Sequence, residues 1–342
     1  SKQCFQHPLF CERACRSLME ESPVARGPLV AAVEAGGTSF RVAVSRSADP
    51  SCIVDRHSFP TTTPDETLSS VKQWLLQRQD TMELQALAVV SFGPVDLDPE
   101  SATFGFITST PKPGWQHTDL LGPLRDCCIP VVGFETDVNA PALLEAKLRD
   151  VKNCCYITVG TGVGVGVVVE GQCVHGLLHP EAGHMRIALA AADVGGADGP
   201  GFAGVCPYHG SCVEGMCSAP SIARRLGILQ EELAQVPDED AVWDVVAFYL
   251  AQLCANLVLV CSPEVIVLGG GVSERQCLYP KVQEQLLDQL NGYIQSDKLT
   301  VEGVKSFVVP PTYAGDAGIT SALSMALAHV TPSKDGEGEA AV

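Results

Sequence analysis

Four residues near the middle of the chain have types and spacing that suit a metal ion. Cys206, His209 and Cys212 recur every third residue in the turn-rich run Cys206-Pro207-Tyr208-His209-Gly210-Ser211-Cys212. With His184 they make a Cys₂His₂ set, the complement of a tetrahedral zinc site with no open position, so the metal is expected to be structural. His179 competes with His184 for the fourth place. The alternative is a set of free buried thiols, because unpaired cysteine packs as a small hydrophobe. The glycine-rich gap Gly195–Gly201 would not hold a shape by itself, and a metal clip would tie it down.

A second chemistry is suggested by three glycine turns at strand ends. Gly160-Thr161-Gly162-Val163-Gly164-Val165-Gly166 follows the apolar run Tyr156–Val159 and precedes Val167–Val169. A hairpin with a glycine-rich tip presents free N–H groups that suit phosphate oxygens. It is neither a Rossmann fingerprint, since a strand follows, nor a Walker loop, since no Gly-Lys-Ser/Thr follows. Gly36-Gly37-Thr38 closes a strand–turn–strand unit between Leu29–Val33 and Phe40–Val44, which by itself reads as an ordinary hairpin. Gly269-Gly270-Gly271 ends the run Val265–Leu268, where a nucleotide base or ribose can approach the backbone.

Asp137 stands where the strand Pro130–Glu135 gives way to a helix. A carboxylate there can accept a proton from a bound hydroxyl; taken alone, it reads first as a helix-capping acid.

These groups need elements to position them. Strands are predicted over Ile53–Phe59 and Leu87–Phe92, with a last one over Val304–Val309. Helices are predicted from a start within Thr61–Glu66 to about Gln79, from Asn139 as N-cap to Leu148, over Glu214–Leu226, over Asp240–Val260, from Pro280, and over Gly315–Ala328. A helix over Pro8–Glu20 is suggested within a weakly patterned opening stretch.

The 342 residues suffice for two domains. With 46% hydrophobic and 18% charged residues the chain is globular. A net charge of −18 argues against nucleic acid and anionic membranes as partners. No segment is expected to span a bilayer. Fifteen cysteines, several inside apolar runs, point to a reducing, cytoplasmic setting rather than disulfides.

In their order along the chain, the segments Glu34–Thr38, Ser91–Asp96, Thr110–Trp115, Thr136–Ala140, Gly160–Gly164, His179–His184, Cys206–Cys212 and Gly269–Val272 resemble the ROK family of sugar kinases, the fructokinase branch above all. The resemblance covers roughly Val30 to Leu327. It implies an α/β chain of the two-domain actin-like ATPase (ribonuclease H-like) fold, with an inter-domain cleft and a zinc-bound loop. The expected division is 1–29 as an extension, 30–135 plus 312–330 as the first domain, 136–311 as the second, and 331–342 as a tail.

The implied activity is ATP-dependent phosphorylation of a hexose, D-fructose to fructose 6-phosphate. The alternatives are mannose, glucose or N-acetylmannosamine as substrate, or a sugar sensor without catalysis. The resemblance makes Asp137 the general base. It places Gly36, Gly37, Thr38, Gly160, Thr161 and Gly162 at the phosphates, and Gly269, Gly270 and Gly271 at the adenosine. Asn139, Glu181, His184 and Glu214 are implied at the sugar, with His184 serving zinc through its other ring nitrogen. ATP, Mg²⁺ and Zn²⁺ are the implied cofactors and a homodimer the implied assembly. One departure stands out: the lysine expected after Thr38 is Ser39, with Arg41 two residues on.

Overall fold

A computed structural model describes residues 27–195 and 201–330. The suggested helix at Pro8–Glu20, residues 196–200 of the glycine-rich gap, and the tail from residue 331 lie outside the described residues.

The β-branched runs pair into two five-stranded sheets. The first contains β1 (Val30–Ala35), β2 (Ser39–Ser45), β3 (Ile53–Pro60), β4 (Ala86–Ser91) and β5 (Val131–Thr136), in the order β3-β2-β1-β4-β5. The second contains β6 (Cys154–Val159), β7 (Val163–Val169), β8 (Gln172–Cys173), β9 (Val265–Gly269) and β10 (Val308–Val309), in the order β8-β7-β6-β9-β10. In each sheet the central first strand pairs antiparallel to the second, and the second to the third. The other side of each is parallel, first strand to fourth and fourth to fifth. The second half thus repeats the topology of the first, and ligands in such sheets are met at the carboxyl ends of the parallel strands.

Helix α1 (Pro64–Met82) starts within the predicted Thr61–Glu66 segment, with Thr63 Oγ1 accepting the Glu66 N–H at 3.4 Å. It buries Val71, Trp74 and Leu75 on the first sheet. Two alanine-rich helices lie between the sheets. Helix α2 (Asn139–Leu148) packs Ala142 and Ala146 against Cys154, Tyr156 and Val168 of the second sheet. The last helix, Ala317–Val330, packs Ile319, Ala322 and Ala326 against Val30, Ala88 and Val90, returning the end of the chain to the first sheet. Their small side chains let both helices lie close to the sheets and to one another.

Four expectations require correction. The segment 214–226 forms two helices, α3 (Val213–Cys217) and α4 (Ala219–Leu226), separated by extended Ser218. Pro220 has no N–H to continue the ladder of α3. Most of the expected strand at 304–309 is a short helix, Val304–Phe307, leaving only two residues to β10; so short an apolar run has no decisive period. Asn139 is not an N-cap: it lies inside α2, which has no side-chain cap bond. Helix α5 (Val242–Cys261), with mean hydropathy 1.9, is long and apolar enough to cross a membrane, contrary to expectation. Its apolar surface is used internally: Val246, Leu250, Leu253 and Leu257 join the second core beside α6 (Leu278–Leu290). The last helix is α7.

Candidate active site

The ends of β1, β6 and β9 and the turn after β5 meet at a cavity of about 360 Å³ between the sheets. Glu34, Arg41, Asp137, Tyr156, Thr158 and the Gly269–Gly271 turn line it, with the start of α7 closing one side. Asp137 follows the last residue of β5. Its N–H donates to the Ser91 carbonyl at 2.8 Å, so the β4–β5 ladder holds the carboxylate at the mouth of the sheet. Burial, and then the charges of Glu34 and Glu181, push its pKa up to about 7.

Glu34 ends the otherwise apolar β1 at the cleft. Arg41 Nη2 lies 2.6 Å from its Oε1, while its Oε2 is buried without a partner. Burial raises the Glu34 pKa against the opposing pull of Arg41. Arg41 also bonds the Gly315 carbonyl and lies 3.6 Å from Asp316. An acid set directly after the apolar run Leu29–Val33 is the signal that could have marked Glu34; nothing in the sequence shows that Arg41 is engaged by three groups.

The glycine run divides into two parts. Gly160, Thr161 and Gly162 form the tip of the β6–β7 hairpin, with Val159 opposite Val163. At Gly160 an added Cβ would meet nothing within 4 Å, so space remains for a ligand. Gly164 and Gly166 instead face the turn bearing Asp137: a Cβ on Gly166 would lie 2.0 Å from the Val138 carbonyl oxygen. These two glycines let the hairpin pass beneath that turn. At the third turn Gly270 has φ +86°, and a Cβ there would meet the Val159 backbone at 2.5 Å, so only glycine serves.

The first turn, Gly36-Gly37-Thr38, joins β1 to β2, with Gly36 N–H bonded to the Ser39 carbonyl at 3.0 Å. Gly37 and Thr38 are exposed, and a Cβ on Gly37 would meet nothing within 4 Å. Neither this turn nor the Gly160–Gly162 tip lines the 360 Å³ cavity, whereas Gly269–Gly271 does.

His184, Cys206, His209 and Cys212 come together, each offering one ligand atom, all within 4.8 Å of one another. His184 Nδ1 lies 3.6 Å from each sulfur and 3.2 Å from His209 Nδ1. His179 is excluded from the cluster. It is buried, and its Nε2 accepts the Val95 N–H from the first half at 3.2 Å. That bond puts the ring proton on Nδ1, 3.5 Å from Glu181, and burial lowers the pKa, so His179 is a neutral strut.

The Cys/His cluster sits between two carboxylates. Glu181 immediately precedes the 3₁₀ turn Ala182–His184, and Glu214 is in α3 directly after Cys212. Glu214 accepts the Val163 N–H at 3.1 Å and so reaches the glycine hairpin. Burial and then the Glu214 charge push Glu181 up to about 7.

Asn139, expected at the sugar, has no exposure. Its Oδ1 accepts the Val167 N–H at 3.1 Å and its Nδ2 donates to Glu135 at 3.2 Å. It braces the turn carrying Asp137 rather than facing a ligand.

Two sheets of repeated topology, with strand ends and the Gly269–Gly271 turn lining an acidic cleft, define the class: an α/β protein of the actin-like ATPase fold. The ROK family model matches residues 30–328, and the chain belongs to the ROK family. It is 39% identical over 262 residues to the fructokinase of Lactococcus lactis subsp. cremoris, covering 77% of this chain and 85% of that one. It is 38% identical over 294 residues to the fructokinase of Streptococcus mutans, covering 85% and 94%. The solved ROK family glucokinase from Streptomyces griseus, in complex with glucose and AMPPNP, shares the fold with a TM-score of 0.65 at 20% identity, over 87% of this chain and 99% of that one.

Proposed function

We infer that the protein is an ATP-dependent sugar kinase that converts D-fructose to fructose 6-phosphate. The observation that carries this reading is Asp137: a carboxylate with a pKa of about 7, at a strand end, in the same cavity as the Gly269–Gly271 turn. Such a group can take the proton of a sugar hydroxyl as that oxygen attacks the γ-phosphate. Positioning and charge stabilisation supply the rest of the rate. The identity to fructokinases over most of the chain supports fructose as the acceptor.

In this reading Gly36–Thr38 and Gly160–Gly162 offer N–H groups to the phosphates, and Gly269–Gly271 lies along the adenosine. Glu181, His184 and Glu214 hydrogen-bond sugar hydroxyls; Asn139 acts one step behind them. Glu34, with a buried unpartnered oxygen in the cleft, would help to hold Mg²⁺, which would supply charge neutralisation to the phosphates. The functional domains are residues 30–135 with 312–330, and 136–311, with sugar and ATP between them. The cysteines set inside apolar runs, such as Cys154-Cys155 and Cys254, are the ground for a reducing, cytoplasmic setting.

The Cys/His cluster fits zinc. Tetrahedral bonds of about 2.0–2.1 Å to nitrogen and about 2.3 Å to sulfur put neighbouring ligand atoms about 3.3 Å (N to N) and about 3.6 Å (N to S) apart. Four of the six ligand-atom pairs lie at 3.2 Å and at 3.6 to 3.7 Å, and all six lie within 4.8 Å. With four protein ligands the metal is structural. It ties the turn of Glu181 to the helix of Glu214, and His184 Nε2 remains available to the sugar.

Asp137→Asn tests the role of the base. It should lower turnover about 10²- to 10⁴-fold, as loss of a general base does, with ATP and sugar binding retained. Near-parental turnover would remove Asp137 from the mechanism.

A further inference from the structure

Lys112, which the sequence reading assigned no role, sits at the first glycine turn. Its ammonium donates to the Gly37 carbonyl across 75 residues of sequence. The loop that carries it is anchored by Trp115, which is fully buried and stacks near Phe40 at 5.3 Å and Phe92 at 5.8 Å. Trp115 Nε1 donates to the Thr62 carbonyl at 2.9 Å. The preceding residue, Thr61, holds the glycine turn itself: its Oγ1 donates to the Gly36 carbonyl at 2.8 Å and its N–H to the Thr38 carbonyl at 2.9 Å. One dipeptide therefore fixes both the turn and the lysine above it.

A cation is needed there. The chain carries a net charge of −18, and Glu34 and Asp137 line the cleft. Ser39 supplies no charge, and Arg41 is engaged by Glu34, Gly315 and Asp316. Among the described residues no carboxylate lies within 4.0 Å of the Lys112 ammonium; its acceptor is a neutral carbonyl, which a phosphate oxygen can replace with a stronger, charge-assisted bond.

We propose that Lys112 binds the terminal phosphate of the nucleoside triphosphate over the Gly36–Thr38 turn, and that it distinguishes triphosphate from diphosphate. This rests on the kinase reading of that turn. The test is calorimetric titration of Mg-ADP and of a non-hydrolysable Mg-ATP analogue into the parent protein, Lys112→Met and Lys112→Arg, with steady-state kinetics alongside. Lys112→Met should lose about 10- to 100-fold in affinity for the analogue and in kcat/KM for ATP, the range for a hydrogen bond to a charged group. ADP affinity and sugar KM should hardly change, and Lys112→Arg should recover most of the loss. Equal losses for ADP and analogue, no loss for either, or a rise in sugar KM alone would overturn the assignment of Lys112. Failure of the parent protein to bind either nucleotide would overturn both the assignment and the kinase reading. Matching melting curves separate these outcomes from a folding defect.

Discussion

Asp137 is held by the β4–β5 ladder among other acids, and in its proposed role as base its ionisation bears on both activity and stability. A base must be unprotonated to act, so turnover should rise with pH through about 7, the pKa set by burial and the charges of Glu34 and Glu181. A pH–rate profile measures this; a flat profile between pH 5 and 8 with chemistry rate-limiting would contradict it. The stability effect has the opposite sign. The group's unperturbed value is 3.8 and its folded value is higher, so the folded state binds the proton more tightly. The carboxyl costs nothing below about pH 4 and progressively more up to about pH 7. Asp137→Asn should therefore raise the melting temperature more at pH 8 than at pH 5. The place of Asp137 at a strand end was legible in the sequence, but the local pattern read first as a helix-capping acid and only the family resemblance implied a base. Asn139 was not read correctly, because the same local pattern fits a cap, a ligand contact and a buried brace, and only the packing of Val167 and Glu135 decides among them.

Among the elements, the β6–β7 hairpin and the zinc loop hold the site by different means. The hairpin uses absence of side chains. Gly166→Ala would drive a methyl into the Val138 carbonyl, whose nearest approach is 2.0 Å. Overpacking of this kind costs about 1–3 kcal/mol, and the shift would reach Asp137 one residue away, so melting temperature and turnover should fall together. Gly160→Ala, at the open tip, should leave stability nearly unchanged while weakening phosphate binding. Thermal melts and ATP titrations of the two variants check this contrast, and an equal stability loss in both would contradict it. In the proposed reading the Cys/His loop has the metal as its cross-link. Removing it with a chelator, or by Cys206→Ser, should lower the melting temperature and raise sugar KM through Glu181 and Glu214, with ATP affinity changed less. Melting left unchanged after metal analysis shows the ion gone would contradict a structural role. The cysteine spacing announced this loop plainly. The break at Ser218 and the helix at Val304–Phe307 were hidden in runs too short for periodicity to resolve.

At the scale of the molecule, two copies of one sheet topology face each other through α2 and α7, and the cleft lies where their strand ends converge. Closure of such a cleft would exclude water, which competes with the sugar for the phosphoryl group. Individual strands were visible as apolar runs, but the repeat was not, since strands of 2 to 8 residues fill corresponding places in the two sheets. Nor could the sequence show that Lys112 meets Gly37, a contact made by the tertiary fold alone. The most direct test of the central claim is ADP release from Mg-ATP with fructose, mannose, glucose and N-acetylmannosamine offered separately. Rapid release with fructose, abolished in Asp137→Asn, is the predicted result. Sugar binding without ADP release from any of the four would contradict the kinase reading and make the protein a sensor.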